Sequence, residues 1–360
     1  LLTGLGCGGC EKQVVELAKE FKSRGHKISV ISITGPNFYL NELKDFGISV
    51  ILLNMKKISL NVIPLIKYFS FLLKERPHIL HSHMVHANLL ARFTRMLIKI
   101  PVVICSARSS FEGGIFRKLL YRITDSLCDV TTNVSRYAAE IYVKNGMTSR
   151  EKMRFIPNGI DTEKYKFDHN ARAQVRGELK IADDFVWISV GNFVKAKNHK
   201  DMVTAFSKLH KTRPKTKLIL AGAGKLRGSI VNLINNLKIN DSVLLLGLRS
   251  DIPQLLSAGD AFVLPSLWEG FPNVLLEASS CELPIVSTDT GGINEIVMEG
   301  KTGFLALTND PDELYHSMNR MTGLPESERK KWGKREETMS RQIIKPPKLW
   351  NYGKVYMKKC

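Results

Sequence analysis

The chain has 360 residues, 44% hydrophobic and 24% charged, with a formal net charge of +19. That length exceeds one ordinary core and fits two domains of about 150–180 residues each. Six cysteines scattered over so long a chain argue against a secreted disulfide framework, and a dispersed positive field attracts nucleic acid, anionic lipid or phosphorylated substrates without choosing among them.

The chain opens on Leu1-Leu2-Thr3, which reads as a strand cut in half, so the first strand is expected to be truncated. Glu11 to Arg24 reads as an amphipathic helix, with Val14, Val15, Leu17, Ala18 and Phe21 on one side, ending at Gly25. Strands are expected at 28–33, 50–53, 79–82, 102–105, 130–133 and 153–156. The longest apolar region, Ile58 to Leu73, is interrupted by Asn61, Pro64 and Lys67. It falls short of the ~20 apolar residues that span a bilayer. Pro157-Asn158-Gly159 marks a join, and Asp161 to Asp184 is polar with little periodicity. Further strands are expected at 187–190, 217–221, 243–246, 261–264 and 284–287, with helices between. Strands separated by helices imply parallel sheets. The fold class is α/β: two tandem Rossmann-like doubly wound domains facing across a cleft, with ligands beyond the carboxyl ends of the strands.

Glu269-Gly-Phe-Pro-Asn-Val-Leu-Leu-Glu277 follows the expected strand 261–264 and the loop Pro265 to Trp268. Pro272 suits the first turn of a helix. Amides near Asn273 and Val274 would then form a diphosphate site at its N-terminus. Glu277 would lie inside that helix and Glu269 before it, within reach of a ribose and a sugar. An isolated pair of glutamates at this spacing is more often simply solvated, so context decides.

That context is an ordered set of blocks: Gly8-Gly9-x-Glu11, Ile156-Pro-Asn-Gly-Ile-Asp161, Ala221-Gly-Ala-Gly224, Ser266-x2-Glu269-Gly-Phe-Pro-Asn, Leu276-Glu-Ala278, and Pro284 to Gly292 with Glu295. Together, across roughly residues 4–310, they resemble glycosyltransferase family 4. The resemblance implies the two-domain GT-B fold and a retaining, metal-independent hexosyl transfer from a UDP- or GDP-sugar, with no cofactor. It places Glu269 near the transferred sugar and Glu277 on the nucleotide ribose. Gly191-Asn192-Phe-Val-Lys-Ala-Lys197 matches the family's diphosphate block, where an Arg usually follows the glycine and a Lys comes five positions later. Lys197 fills the second place, and Asn192 stands in the first. Gly222 and Gly224 let backbone approach the nucleotide. Phe271, Pro272, Asn273 and Val274 complete the nucleotide-sugar set with Gly8 and Gly9. A His commonly occupies the position aligned with Arg108. Arg108 fits a cation for an acidic or phosphorylated substrate, and it fits equally well a chain of reduced activity.

Several patterns point elsewhere. Gly4, Gly6 and Gly9 match G-x-G-x-x-G, but Ile33-Thr34-Gly35 offers no acid for a dinucleotide ribose. Cys7-Gly-Gly-Cys10 mimics a redox pair without a second pair for zinc. His81, His83 and His86 are closer to a cleft-lining or structural group than to a zinc site. Asp310-Pro-Asp312 fits a helix N-cap better than a metal motif.

The expected domains are 1–160 (acceptor-binding), 161–325 (nucleotide-sugar-binding) and 326–360 (a segment returning to the first domain, where Pro346-Pro347 interrupts it and Trp350 and Tyr352 pack). Expected partners are the nucleotide-sugar donor, a saccharide or lipid-linked acceptor and an anionic membrane surface, but no nucleic acid. The resemblance implies surface polysaccharide synthesis as the setting, with the chain expected in the cytoplasm or peripheral on the inner membrane face. The membrane reading rests on Lys56-Lys57, Lys67, Lys74, Arg76 and Arg117-Lys118 flanking Leu65, Phe69, Phe71 and Leu72; a buried helix with snorkelling lysines explains the same pattern. Rival readings are a nucleotide-sugar epimerase and a non-catalytic binding protein built on the same scaffold.

Overall fold

The computed structural model describes residues 1–55, 61–109, 113–181 and 183–344, excepting the side chains of 336–344. The described residues form two compact units, one over Leu1–Asn158 and the other from Gly159 onward.

In the first unit β1 (Leu2–Leu5), β2 (Ser29–Asn37), β3 (Ser49–Leu52), β4 (Ile79–His83), β5 (Val102–Ser106), β6 (Val130–Asn133) and β7 (Met153–Phe155) form a parallel sheet. Its order is β3-β2-β1-β4-β5-β6-β7. The helices are α1 (Gly9–Ser23), α2 (Leu40–Asp45), α3 (Ile63–Glu75), α4 (Val85–Leu97), α5 (Ile115–Ile123) and α6 (Arg136–Lys144). The strand order reverses after β3, so right-handed crossovers put α1 and α2 on one face and α3 to α6 on the other. Core packing follows the strand period of two. Leu2, Leu5 and Val30 meet Val15 of α1 and Leu43 of α2, whereas Ile31 and Ile33 meet Tyr68, Leu72 and Ala91 of α3 and α4. Arg92 is fully buried on α4. It donates from Nη1 to the Tyr121 carbonyl at 2.7 Å and to Thr124 Oγ1 at 3.2 Å, which is what makes a buried guanidinium tolerable.

In the second unit β8 (Phe185–Val190), β9 (Thr216–Ala221), β10 (Val243–Gly247), β11 (Ala261–Leu264), β12 (Ile285–Thr288) and β13 (Gly303–Ala306) are parallel, in the order β10-β9-β8-β11-β12-β13. Between and after them run α7 (His169–Leu179), α8 (His199–Thr212), α9 (Arg227–Leu237), α10 (Ile252–Ser257), α11 (Asn273–Ser280), α12 (Pro311–Gly323) and α13 (Glu326–Ile344). Its strands are buried on both faces and read as apolar runs such as Ala261–Leu264, the pattern a doubly covered sheet requires.

Several local expectations change. The aperiodic stretch 161–184 contains α7. Asp168 caps it by accepting from the amides of Asn170 and Ala171. Its inward face includes Arg176, which with Arg172 binds Asp260 at 2.5 and 2.6 Å. Charged side chains that serve the interior hide the apolar period of such a helix. Pro272 is the N-cap residue of α11 rather than part of its first turn. Strand β13 was not anticipated. Asp310 caps α12 by accepting from Asp312 N and Glu313 N. Of the apolar residues read as membrane-facing, Leu72 is buried and Phe69 and Phe71 pack against the core. Helix α13 packs in the second unit, with Trp332 edge-on to Phe304 at 5.1 Å. Lys56, Lys57, Ile58, Pro346, Pro347, Trp350 and Tyr352 lie outside the described residues.

Candidate active site

At the carboxyl ends of β8, β9 and β10 the chain is laced together by main chain. Gly191 N donates to the Ala221 carbonyl at 2.9 Å, Phe193 N to that of Ala223 at 2.9 Å, and Gly222 N to that of Gly247 at 2.7 Å. A Cβ on Gly222 would lie 2.0 Å from the Gly191 oxygen, and one on Gly224 2.5 Å from the Phe193 oxygen. Only glycine allows these two loops to touch. The result is a floor of bare backbone, as phosphate-binding loops require.

Lys197 ends a short 3-10 turn beyond this floor. Its ammonium is ion-paired with Glu269 Oε1, which also accepts from Ser266 Oγ at 2.7 Å. Leu267 N donates to the Ala196 carbonyl at 2.8 Å, tying the two loops in register. The Glu269 backbone is wedged against Gly291, where a Cβ would lie 2.0 Å from the Glu269 oxygen. Glu277 is buried on α11 with Asn273 at the helix start. Phe271 and Pro272 are buried, Val274 is half-buried and Asn192 is exposed. His199 stacks on Phe193 at 4.2 Å between ring centres. Burial, and then the Lys197 charge, lower its pKa to about 4, so it is neutral.

In the first unit Gly8 and Gly9 open α1. A Cβ on Gly8 would lie 2.4 Å from Glu11 Oε2, so the loop folds onto that carboxylate. Burial raises the Glu11 pKa, opposed in part by the Arg108 cation. Arg108 donates from Nη1 to Asn158 Oδ1 at 2.6 Å and from Nη2 to His83 Nδ1 at 3.1 Å. Its Nε is buried with no partner. A guanidinium only donates, so His83 Nδ1 is the acceptor and bears no proton. Burial drives the His83 pKa well below its usual value, with His81 and Arg108 adding to the shift.

The predicted residues thus fall into two groups. Gly191, Lys197, Gly222, Gly224 and Glu269 cluster on the second unit's strand ends, with Asn273 and Glu277 on α11. Gly8, Gly9 and Arg108 belong to the first. Glu11, Asn158 and Ser266 are polar partners to which sequence reasoning gave no role, although all three lie inside the motifs it quoted. The His81 and His83 rings lie tilted against each other at 4.1 Å between centres while His86 is exposed, and among the described residues no cluster of His, Cys, Asp and Glu is arranged to hold a metal ion. Partial burial, then Glu11, push the Cys7 thiol pKa up, the reverse of a redox-active thiol.

Two parallel doubly wound sheets of this order define the GT-B class of fold. The structure resembles Anabaena Alr3699/HepE in complex with UDP, with a TM-score of 0.86 and 19% identity over 100% of this chain and 98% of that one. It also resembles the sucrose-phosphate synthase of Thermosynechococcus elongatus, with a TM-score of 0.82 and 17% identity over 99% and 95%. The Glycosyltransferase Family 4 model matches residues 7–164, and the Glycosyl transferases group 1 model matches residues 171–339. Among relatives, the UDP-Gal:alpha-D-GlcNAc-diphosphoundecaprenol alpha-1,3-galactosyltransferase of Escherichia coli is 31% identical over 72% of this chain and 70% of its own length. The N-acetyl-alpha-D-glucosaminyl L-malate synthase of Bacillus anthracis is 30% identical over 86% and 84%. The chain belongs to glycosyltransferase family 4.

Proposed function

We propose that this glycosyltransferase moves a hexosyl group from a UDP- or GDP-sugar to a hydroxyl of a lipid-linked saccharide, retaining the anomeric configuration and using no metal ion or other cofactor. The observation that carries this reading is the Lys197–Glu269–Ser266 constellation beside the bare-backbone floor. An ammonium pinned there supplies positive charge where a diphosphate departs, the task a metal ion performs elsewhere.

In this reading Gly191, Asn192, Gly222 and Gly224 approach the diphosphate, joined by the amides of Phe271, Asn273 and Val274, with Pro272 setting the entry to the helix. Glu277 accepts from the ribose hydroxyls, and Glu269 lies beside the sugar. Gly8, Gly9 and Arg108 are the first unit's candidate residues, Arg108 as a cation for a phosphorylated substrate. The bond from sugar C1 to the diphosphate oxygen breaks. A bond from C1 to the acceptor oxygen forms on the same face, and a diphosphate oxygen takes the acceptor's proton. The lipid-linked acceptor and surface-polysaccharide setting are supported by relatives whose names specify diphosphoundecaprenol substrates. Such an acceptor would be met at the inner membrane face. Among the described residues no helix is long and apolar enough to cross a membrane.

Calorimetry with UDP and GDP, then transfer assays on lipid-linked saccharides with and without EDTA, test this. The expected result is binding of one nucleotide, EDTA-resistant transfer, and a product whose anomeric NMR coupling matches the donor's. Absence of binding by both nucleotides would overturn the donor site. An altered sugar nucleotide formed without acceptor would instead mark an epimerase, and binding without turnover a non-catalytic protein.

A further inference from the structure

We propose that the indole of Trp268 is a stacking platform for a sugar ring of the acceptor, so that the second unit recognises the acceptor as well as the donor. The purpose of such a platform rests on the glycosyl-transfer reading, while the platform itself is read from one loop. Among the described residues of the second unit, the large hydrophobic side chains left exposed are Val194, Leu226, Leu248, Trp268 and Leu307. Each follows the carboxyl end of a strand, β8, β9, β10, β11 and β13 in turn. A single exposed apolar residue is ordinary. Five that all fall at the end where parallel sheets bind ligands are placed selectively.

Trp268 is the aromatic one of the five. It is 44% exposed, and its ring makes no hydrogen bond, ring contact or cation–π contact with any described residue. The other described tryptophans both have partners: Trp187 Nε1 donates to Thr322 Oγ1 at 3.3 Å, and Trp332 lies edge-on to Phe304. The loop that carries Trp268 is pinned on both sides. The Ser266 carbonyl accepts from Thr288 Oγ1 and the Leu267 carbonyl from Thr290 Oγ1 at 3.3 Å. Leu267 N donates to the Ala196 carbonyl, and the Gly270 carbonyl accepts from Gly292 N at 3.1 Å. A flat ring presented from a fixed backbone loses little freedom when a ligand covers it.

Place selects the occupant. With a diphosphate over the glycine loops after β8 and β9 and the transferred sugar beside Glu269 after β11, the nucleoside points toward β10, away from Trp268. The Glu269 side chain turns inward to Lys197 and Ser266 and is only 13% exposed, whereas the adjoining indole faces solvent. The ring that meets Trp268 is then the one beyond the transferred sugar, which belongs to the acceptor. A pyranose offers a flat indole one face of C–H groups while its hydroxyls stay hydrated at the rim, so apolar area is buried without stranding a polar group. No charged group pairs with this indole among the described residues, and the class it fits is a neutral pyranoside.

The test uses the full chain and three probes, the methyl α-glycosides of glucose, galactose and N-acetylglucosamine, each titrated with and without UDP. The indole N–H resonance of Trp268, assigned by its absence from Trp268→Phe, should shift and saturate with at least one probe. Trp268→Ala should weaken the Kd of that probe, measured by ligand-observed NMR, at least about fivefold, the scale of an aromatic contact. Its Tm should not change, since the side chain is exposed. Trp268→Phe should recover the affinity to within about twofold. No shift with any probe, unchanged affinity in Trp268→Ala, or a variant whose sole defect is weaker UDP binding would overturn the proposal. So would a variant whose sole defect is loss of self-association in sedimentation velocity. Calorimetry with UDP and GDP reports separately on the donor reading, because the glycoside titration without nucleotide requires neither.

Discussion

Gly222 is pressed against the carbonyl of Gly191, leaving 2.0 Å where a Cβ would stand. This contact holds the loop after β9 against the loop after β8. Gly222→Ala should therefore destabilise the second unit by about 1–3 kcal/mol through overpacking and abolish nucleotide binding by calorimetry. Gly228, on α9, has open space around its Cα. Gly228→Ala should leave binding intact and raise stability by roughly 0.5–1 kcal/mol, read as a higher urea midpoint.

Lys197→Ala removes the ammonium and leaves Glu269 with Ser266 alone. If the charge stabilises a departing diphosphate, kcat should fall by about 10²–10³-fold. Steady-state kinetics on the variant check this, and a KM effect at constant kcat would show that Lys197 only binds the ground state.

Arg108→Lys keeps the charge but replaces a fork that spans Asn158 and His83 with a point donor. Transfer should fall about tenfold or more while UDP or GDP affinity, measured by calorimetry, changes little. An equal loss in both would place Arg108 in the donor site instead.

His83 and His199 are buried and held neutral. Their folded pKa values lie below the unfolded value near 6.5, so below that pH the unfolded state binds more protons. About one unit above pH 6.5 both are neutral in either state, and stability is lost as the pH falls through 6.5 toward about 4, where His199 titrates in the fold. The limiting slope is about 1.4 kcal/mol per pH unit for each. Urea midpoints between pH 7.5 and 5 should decline, and His199→Phe should flatten part of that decline.

The parallel strands were legible because buried parallel strands are short apolar runs between helices. Lys197 and Glu269, singled out by their places in an ordered set of motifs, are brought together as an ion pair in the structure. The partners of Arg108 were not legible, since His83 and Asn158 reach it from 25 and 50 residues away along the chain. Helix α7 was missed because Arg176 takes a place that an aliphatic residue would have signalled. Both readings of the apolar stretch over α3 stayed open in the sequence, because an apolar helix with scattered lysines does not reveal which residues face inward; in the structure Tyr68 and Leu72 do.

Asp260, at the head of β11, accepts from Arg172, Arg176 and the amide of Val186. Upstream of that node Tyr165 is buried, and its carbonyl accepts from Ser280 of α11. The second unit is therefore sealed by chain that precedes its first strand by some twenty residues. A fragment starting at Phe185 would strip both guanidinium partners from the largely buried Asp260 carboxylate, a loss of about 3–5 kcal/mol. A fragment starting at Gly159 keeps the seal, which makes that glycine the place to divide the enzyme.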